Sequence, residues 1–220
     1  NQMKARDLAF FGKITAGVSH EINNVIAIIN ELSGLLNDLL FSAAQGRPLD
    51  LEKLKNISDN IDKQVRRGEE LIKRLNRFAH SVDEPVANFD TSEVLDNLIQ
   101  ISLRFAALKR VELKSEMPAD SFSITGNPFY FQQATSNCID IALAAAGKND
   151  VVMVSLEKEQ NGAVVSVTGP SFNHNEDFTH KLSRVSGLME EQGGRVELSG
   201  PAEKTDGLTL HFPSAPSLIE

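Results

Sequence analysis

The sequence predicts an α plus α/β protein. A long antiparallel helical hairpin, doubled by a second copy into a four-helix bundle, is followed by a two-layer α/β sandwich. Three observations predict it. Apolar residues recur at steps of three and four through two long segments of residues 1–84. From residue 85 onward the period changes to short alternating runs mixed with shorter helical patterns. Asp83-Glu84-Pro85 stands at the change and ends a helix, since the residue before proline avoids helical geometry. The two parts are residues 1–84 and 85–220.

In the first part, Phe11, Ile14, Val18, Ile22, Val25, Ile29, Leu32, Leu36 and Leu39 form a heptad-like seam on a continuous helix over 8–42. Gly46 and Pro48 break it, and Asp50 is placed to cap the next helix. A second seam runs through Leu51, Leu54, Ile57, Ile61, Val65, Ile72, Leu75, Phe78 and Val82. Each helix is about 50 Å long at 1.5 Å per residue. A lone hairpin of that length leaves apolar stripes in water. A homodimer through residues 8–82 buries them, because the rest of the chain supplies no further long helices.

In the second part, Asp90-x-x-Glu93 reads as a capping box opening a helix over 91–109, and Val111–Glu116 alternates as a strand. Asn127-Pro128 is a cap with proline at the first helical position, opening a helix to Ala146. Val151–Glu157 and Ala163–Val167 read as strands joined by an Asn161-Gly162 turn. A helix over 177–192 stops at Gly193-Gly194, and Arg195–Ser199 and Leu208–Phe212 are the last strands.

Net charge is −8, with no sustained Lys/Arg run, which argues against nucleic acid or an anionic membrane surface as partner. The single cysteine, Cys138, rules out an intrachain disulfide framework and fits a reducing compartment. No uninterrupted apolar run approaches the roughly 18–20 residues of a membrane span, and no signal peptide is visible after Met3-Lys4-Ala5-Arg6. The expectation is a cytoplasmic protein without direct membrane contact. Phe129-Tyr130-Phe131 reads as core, since basic residues are absent around it. His174, His180 and His211 lack metal-ligand spacing, so no metal is expected, and His80 reads as a helix-end charge.

Ala16-Gly17-Val18-Ser19-His20-Glu21-Ile22-Asn23-Asn24 resembles the phosphoacceptor box of sensor histidine kinases, and the order of hairpin then sandwich matches that family. Gly193-Gly194-Arg195-Val196-Glu197-Leu198 and Gly207–Pro213 resemble the end of the family's ATPase domain. By helical geometry His20 points away from the seam, toward solvent. An imidazole is a nitrogen nucleophile near neutral pH. Glu21 is placed to orient the ring or take its proton, and Asn24, one turn on, to position a water or a phosphoryl oxygen. The resemblance implies the same three roles: phosphoacceptor, acid/base partner, and dephosphorylation of a partner. Val25 stands where the family has a helix-bending proline.

The nucleotide site departs from the resemblance. Asn137 matches the family's first metal-helix asparagine, but the second falls on Ile141, which has no oxygen for Mg²⁺. Val167 takes the place of the adenine-reading aspartate. Gly169 remains, and Ser171 replaces the second glycine. Thr179-His180-Lys181-Leu182 falls where a phosphate-cradling glycine loop belongs. Asn137 and Gly169 are thus remnants of a cofactor site expected to hold neither ATP nor Mg²⁺. The expected function is phosphoryl exchange between His20 and response-regulator receiver domains. The alternatives are a kinase core with divergent ATP binding and a non-catalytic pseudokinase scaffold.

Overall fold

The computed structural model describes residues 4–172, 175–200 and 205–215. They form two compact units, residues 1–77 and 78–220. The sequence break at Asp83–Pro85 lies a few residues later, because the last turn of the second helix belongs with the second unit. There Phe78 is fully buried, its ring 6.0 Å from that of Phe129.

The first unit is built on helices α1 (Ala5–Ala44) and α2 (Leu51–His80). α1 runs without interruption through Val25. α2 opens as the sequence predicts, with Lys53 N donating to the Asp50 carboxylate at 2.9 Å. Along α1, Ile14, Val18 and Val25 are buried, and the other predicted seam residues are half-buried. On α2 the buried and half-buried positions include Leu54, Ile57, Ile61, Gln64, Gly68, Leu71 and Leu75. A side chain at Gly68 would touch Val25 Cγ1 at 3.4 Å, so the two helices approach closely at that point. Predicted seam members Leu51, Val65 and Ile72 instead face water at 71%, 43% and 48% exposure. Ile26 and Leu40 on α1 are likewise exposed.

By length and composition alone α1 is long and apolar enough to cross a membrane, although it holds no uninterrupted apolar run of that length. Its apolar residues are spread at seam spacing and interleaved with polar ones, so no contiguous run announces them.

The second unit has the order β1 (Ala87–Asp90), α3 (Thr91–Lys109), β2 (Glu112–Glu116), β3 (Ser123–Gly126), α4 (Pro128–Ala145), β4 (Val151–Glu159), β5 (Gly162–Thr168), α5 (Glu176–Glu191), β6 (Arg195–Ser199) and β7 (Gly207–Pro213). The main sheet has strand order β2-β4-β5-β7-β6, with β2 parallel to β4 and the other neighbours antiparallel, and β1 pairs with β3 separately. One face of the sheet carries Val152, Val154, Leu156, Ala163, Val165, Val167, Leu208, Leu210 and Phe212, all buried. The helices pack on that sheet, α4 over β4, β5 and β7, α5 over β6 and α3 over β2. This is the helical part followed by an α/β sheet domain that the sequence predicts.

Side-chain caps place the helices. Asp90 accepts from Glu93 N, Asn127 from Tyr130 N and Asn175 from Phe178 N, each near 3 Å. The β4–β5 turn differs from the predicted Asn161-Gly162. Gly162 is already paired with Glu159, so the turn residues are Gln160 and Asn161. A Cβ on Gly162 would sit 2.0 Å from the Phe212 carbonyl oxygen, so glycine is needed there for the approach of β7 rather than for the turn.

Candidate functional site

His20 lies in the middle of α1 and is solvent-exposed, with Asn24 one turn on and half-buried. Glu21 does not share the outer face with them. The 3–4 steps of the buried seam pass from Ile14 and Val18 through Glu21 to Val25, so its carboxylate turns toward α2. There Arg67 Nη2 donates to Glu21 Oε2 at 2.6 Å. Glu21's side chain is 18% exposed and Arg67's 48%. Exposed nucleophile and sheltered carboxylate are therefore adjacent in sequence but face different surroundings. Arg67 was not visible from the sequence, because the pair spans 46 residues and nothing local marks it.

The place where the second unit would hold a nucleotide is built from α4, the segment after β5, and α5. Asn137 is half-buried, Ile141 is buried among core residues, and Val167 faces the helices from β5 opposite Leu208. Beyond β5 the chain stays tied down. Gly169 N donates to the Asp206 carbonyl at 2.8 Å and Phe172 N to the Thr205 carbonyl at 2.6 Å. That path turns Phe172 inward, where it is 3% exposed and stacks at a tilt on Phe178, with centroids 5.9 Å apart. Among the described residues, a cavity of about 90 Å³ is lined by Ile141, Ala144, Ala145, Phe172, Asn175, Asp177, Phe178 and Lys181. Pockets for drug-sized ligands run to roughly 300–1,000 Å³. The oxygen-bearing side chains on its wall are engaged: Asn175 Oδ1 caps α5, and Asp177 pairs with Lys181 at 2.5 Å. Thr179-His180-Lys181-Leu182 lies inside α5, where amides serve the helix's own carbonyls instead of a phosphate. Phe172 also went unmarked in the sequence, since a coil phenylalanine carries no periodic signal.

The other histidines take local partners. His80 Nδ1 lies 2.7 Å from the Asp83 carboxylate. His211 sits on the outer face of the sheet, its Nδ1 3.2 Å from Arg195 Nη2 and 3.4 Å from Glu159 Oε2. The hydrogen bond from Arg195 holds the Glu197 carboxyl below the usual range. Burial pushes the Cys138 thiol up, and the nearby Asp140 adds to the rise. His174 lies outside the described residues. Among the described residues, no three His, Cys, Asp or Glu side chains gather as a metal site.

No family model matches the chain. It is similar over 94% of its length, at 26% identity, to the C4-dicarboxylate transport sensor protein DctB of Rhizobium meliloti (strain 1021). It is similar over 97%, at 22% identity, to the sensor histidine kinase ZraS of Escherichia coli (strain K12). The chain spans 36% and 48% of the lengths of these relatives. Among solved structures, the catalytic domain of histidine kinase ThkA aligns with a TM-score of 0.52 at 16% identity, over 61% of this chain and all of that domain. ThkA in complex with the response regulator TrrA aligns with a TM-score of 0.51 at 18% identity, over 96% of this chain and 64% of ThkA. In sequence the chain is thus similar over nearly its whole length to sensor histidine kinases, and the solved structures show the same fold. The chain's second unit has the ATPase-type fold of those kinases.

Proposed function

We propose that this chain is a phosphorelay protein that works without nucleotide. His20 takes a phosphoryl group from one receiver-domain aspartate and passes it to another. The observation that carries the reading is a contrast within one chain: an intact, exposed His box beside a nucleotide place filled by Phe172 and Phe178. The transfer needs an open nucleophile held in line with the phosphorus, which α1 supplies, and the partner's own metal site supplies the charge stabilisation. The structure of ThkA with TrrA supports receiver domains as the partner class. Glu21 serves the ring proton and Asn24 a water or phosphoryl oxygen. The chain acts as a homodimer on the cytoplasmic side. The exposed Val65 and Ile72 on α2, with Ile26 and Leu40 on α1, are the surface a second hairpin covers.

Incubation of the full chain with a panel of phosphorylated receiver domains tests this. Acid-labile label on the parent and none on His20→Ala is the expected result. Labelling from Mg·ATP alone would favour a second reading, a kinase core with divergent nucleotide binding. The near-full-length similarity to sensor kinases is the observation in that reading's favour.

A further inference from the structure

We infer that Arg67 is a positioning residue for phosphoryl transfer at His20, acting through Glu21; the inference rests on the phosphorelay reading. One oxygen of the Glu21 carboxylate is committed to Arg67 Nη2 at 2.6 Å. The carboxylate is therefore held from α2 and not by its own helix alone. A glutamate side chain has three rotatable bonds, and an unanchored one on a helix surface samples many positions. The planar guanidinium, itself carried on α2 next to the close approach of Gly68 and Val25, removes that freedom. The clamp also ties the chemistry at α1 to the seating of α2. A displacement of α2 that breaks this contact loosens Glu21 without touching His20.

In the transfer, one ring nitrogen of His20 forms a bond to phosphorus as the bond from phosphorus to the aspartyl oxygen breaks. The electron pair returns to the aspartate carboxylate. The proton on the other ring nitrogen goes to, or is shared with, Glu21. Arg67 holds the Glu21 carboxylate in place through the 2.6 Å contact. Arg67 itself exchanges no proton with the ring, so its effect vanishes when Glu21 cannot accept one.

The experiment uses phosphoramidate as donor, on the full chain, with label at His20 followed by phosphorus NMR between about pH 5 and 8, the range in which imidazole changes charge. Arg67→Ala is expected to slow labelling by about tenfold, less than the ~10²–10⁴-fold of losing an acid/base group outright. Arg67→Lys restores part of the rate. In a Glu21→Gln background, Arg67→Ala has no further effect. Circular dichroism reports whether each variant keeps its helices, and Arg67→Lys carries the test if Arg67→Ala does not fold. If Arg67→Ala labels at the parent rate, the clamp is wrong and the phosphorelay reading stands. Slowing of the same size with and without Glu21 also overturns it, since Arg67 would then act elsewhere. Equal labelling of the parent and His20→Ala overturns both.

Discussion

The stretch around His20 and the stretch from Ile141 to Phe178 differ in what they ask of solvent. The first keeps a nucleophile in water on an unbroken helix and shelters only the carboxylate beside it. The second is packed: Ile141 and Val167 are buried, and Phe172 stacks at a tilt on Phe178. Phosphoryl exchange with an aspartate requires only an open nucleophile, whereas autophosphorylation also requires a nucleotide site. The difference teaches that the fold of the second unit rests on the packing of its buried sheet face.

The sharpest break of this comparison is at His20. His20→Ala is expected to abolish phosphoryl acceptance while stability changes by only about ±0.5 kcal/mol, as for exposed substitutions generally. Transfer assays and thermal melts of the same samples check it. Acceptance at the parent level would remove the functional side of the contrast.

The counterpart is Phe172→Ala. Deleting a buried phenylalanine costs about 3–5 kcal/mol, so the second unit should melt much earlier. Mg·ATP at millimolar concentration is still expected to give no thermal shift, because Ile141 and Val167 remain. A saturable ATP shift in Phe172→Ala, absent from the parent, would show that the aromatic plug alone blocks a competent site.

Much of both regions was legible in advance, for reasons that can be named. The helices declared themselves through 3–4 spacing, and Asp50, Asp90 and Asn127 marked their starts through short-range chemistry. β1 and β3 were not legible. Each has four residues, too few for alternation to register, and they pair with each other across α3 and β2. Direction on a helix was the subtler failure. Glu21 follows the exposed His20 directly, but its side chain is sheltered and its partner Arg67 belongs to another helix. Phe172 was invisible for the same physical reason, since its burial is decided by backbone bonds to residues 205–206.

A third test concerns the α2 stripe the seam predicted but the lone hairpin leaves in water. Val65→Asp with Ile72→Asp is expected to convert a dimer to a monomer by sedimentation with helicity retained, since each aliphatic buried in an interface contributes roughly 1.5–3 kcal/mol. Ile57→Asp, at a buried position, should instead lower helicity. A dimer that survives the double change places the second copy on another surface.

The smallest expected effect separates structure from ligand at Asn175, which lines the residual cavity and caps α5. As a cap alone, Asn175→Ala should cost about 1 kcal/mol, a shift in melting temperature of roughly 4–8 °C for a unit this size if it melts on its own. Asn175→Asp should be close to neutral, because a carboxylate caps as well as an amide and gains from the helix dipole. A metal ligand would behave oppositely. Adding a negative charge at the cavity wall would strengthen Mg²⁺ binding, and removing the oxygen would weaken it. Thermal melts of the parent, Asn175→Ala and Asn175→Asp, each with and without millimolar Mg²⁺, distinguish the two. Equal magnesium response in all three, with only the alanine variant destabilised, is the outcome that the packed second region demands.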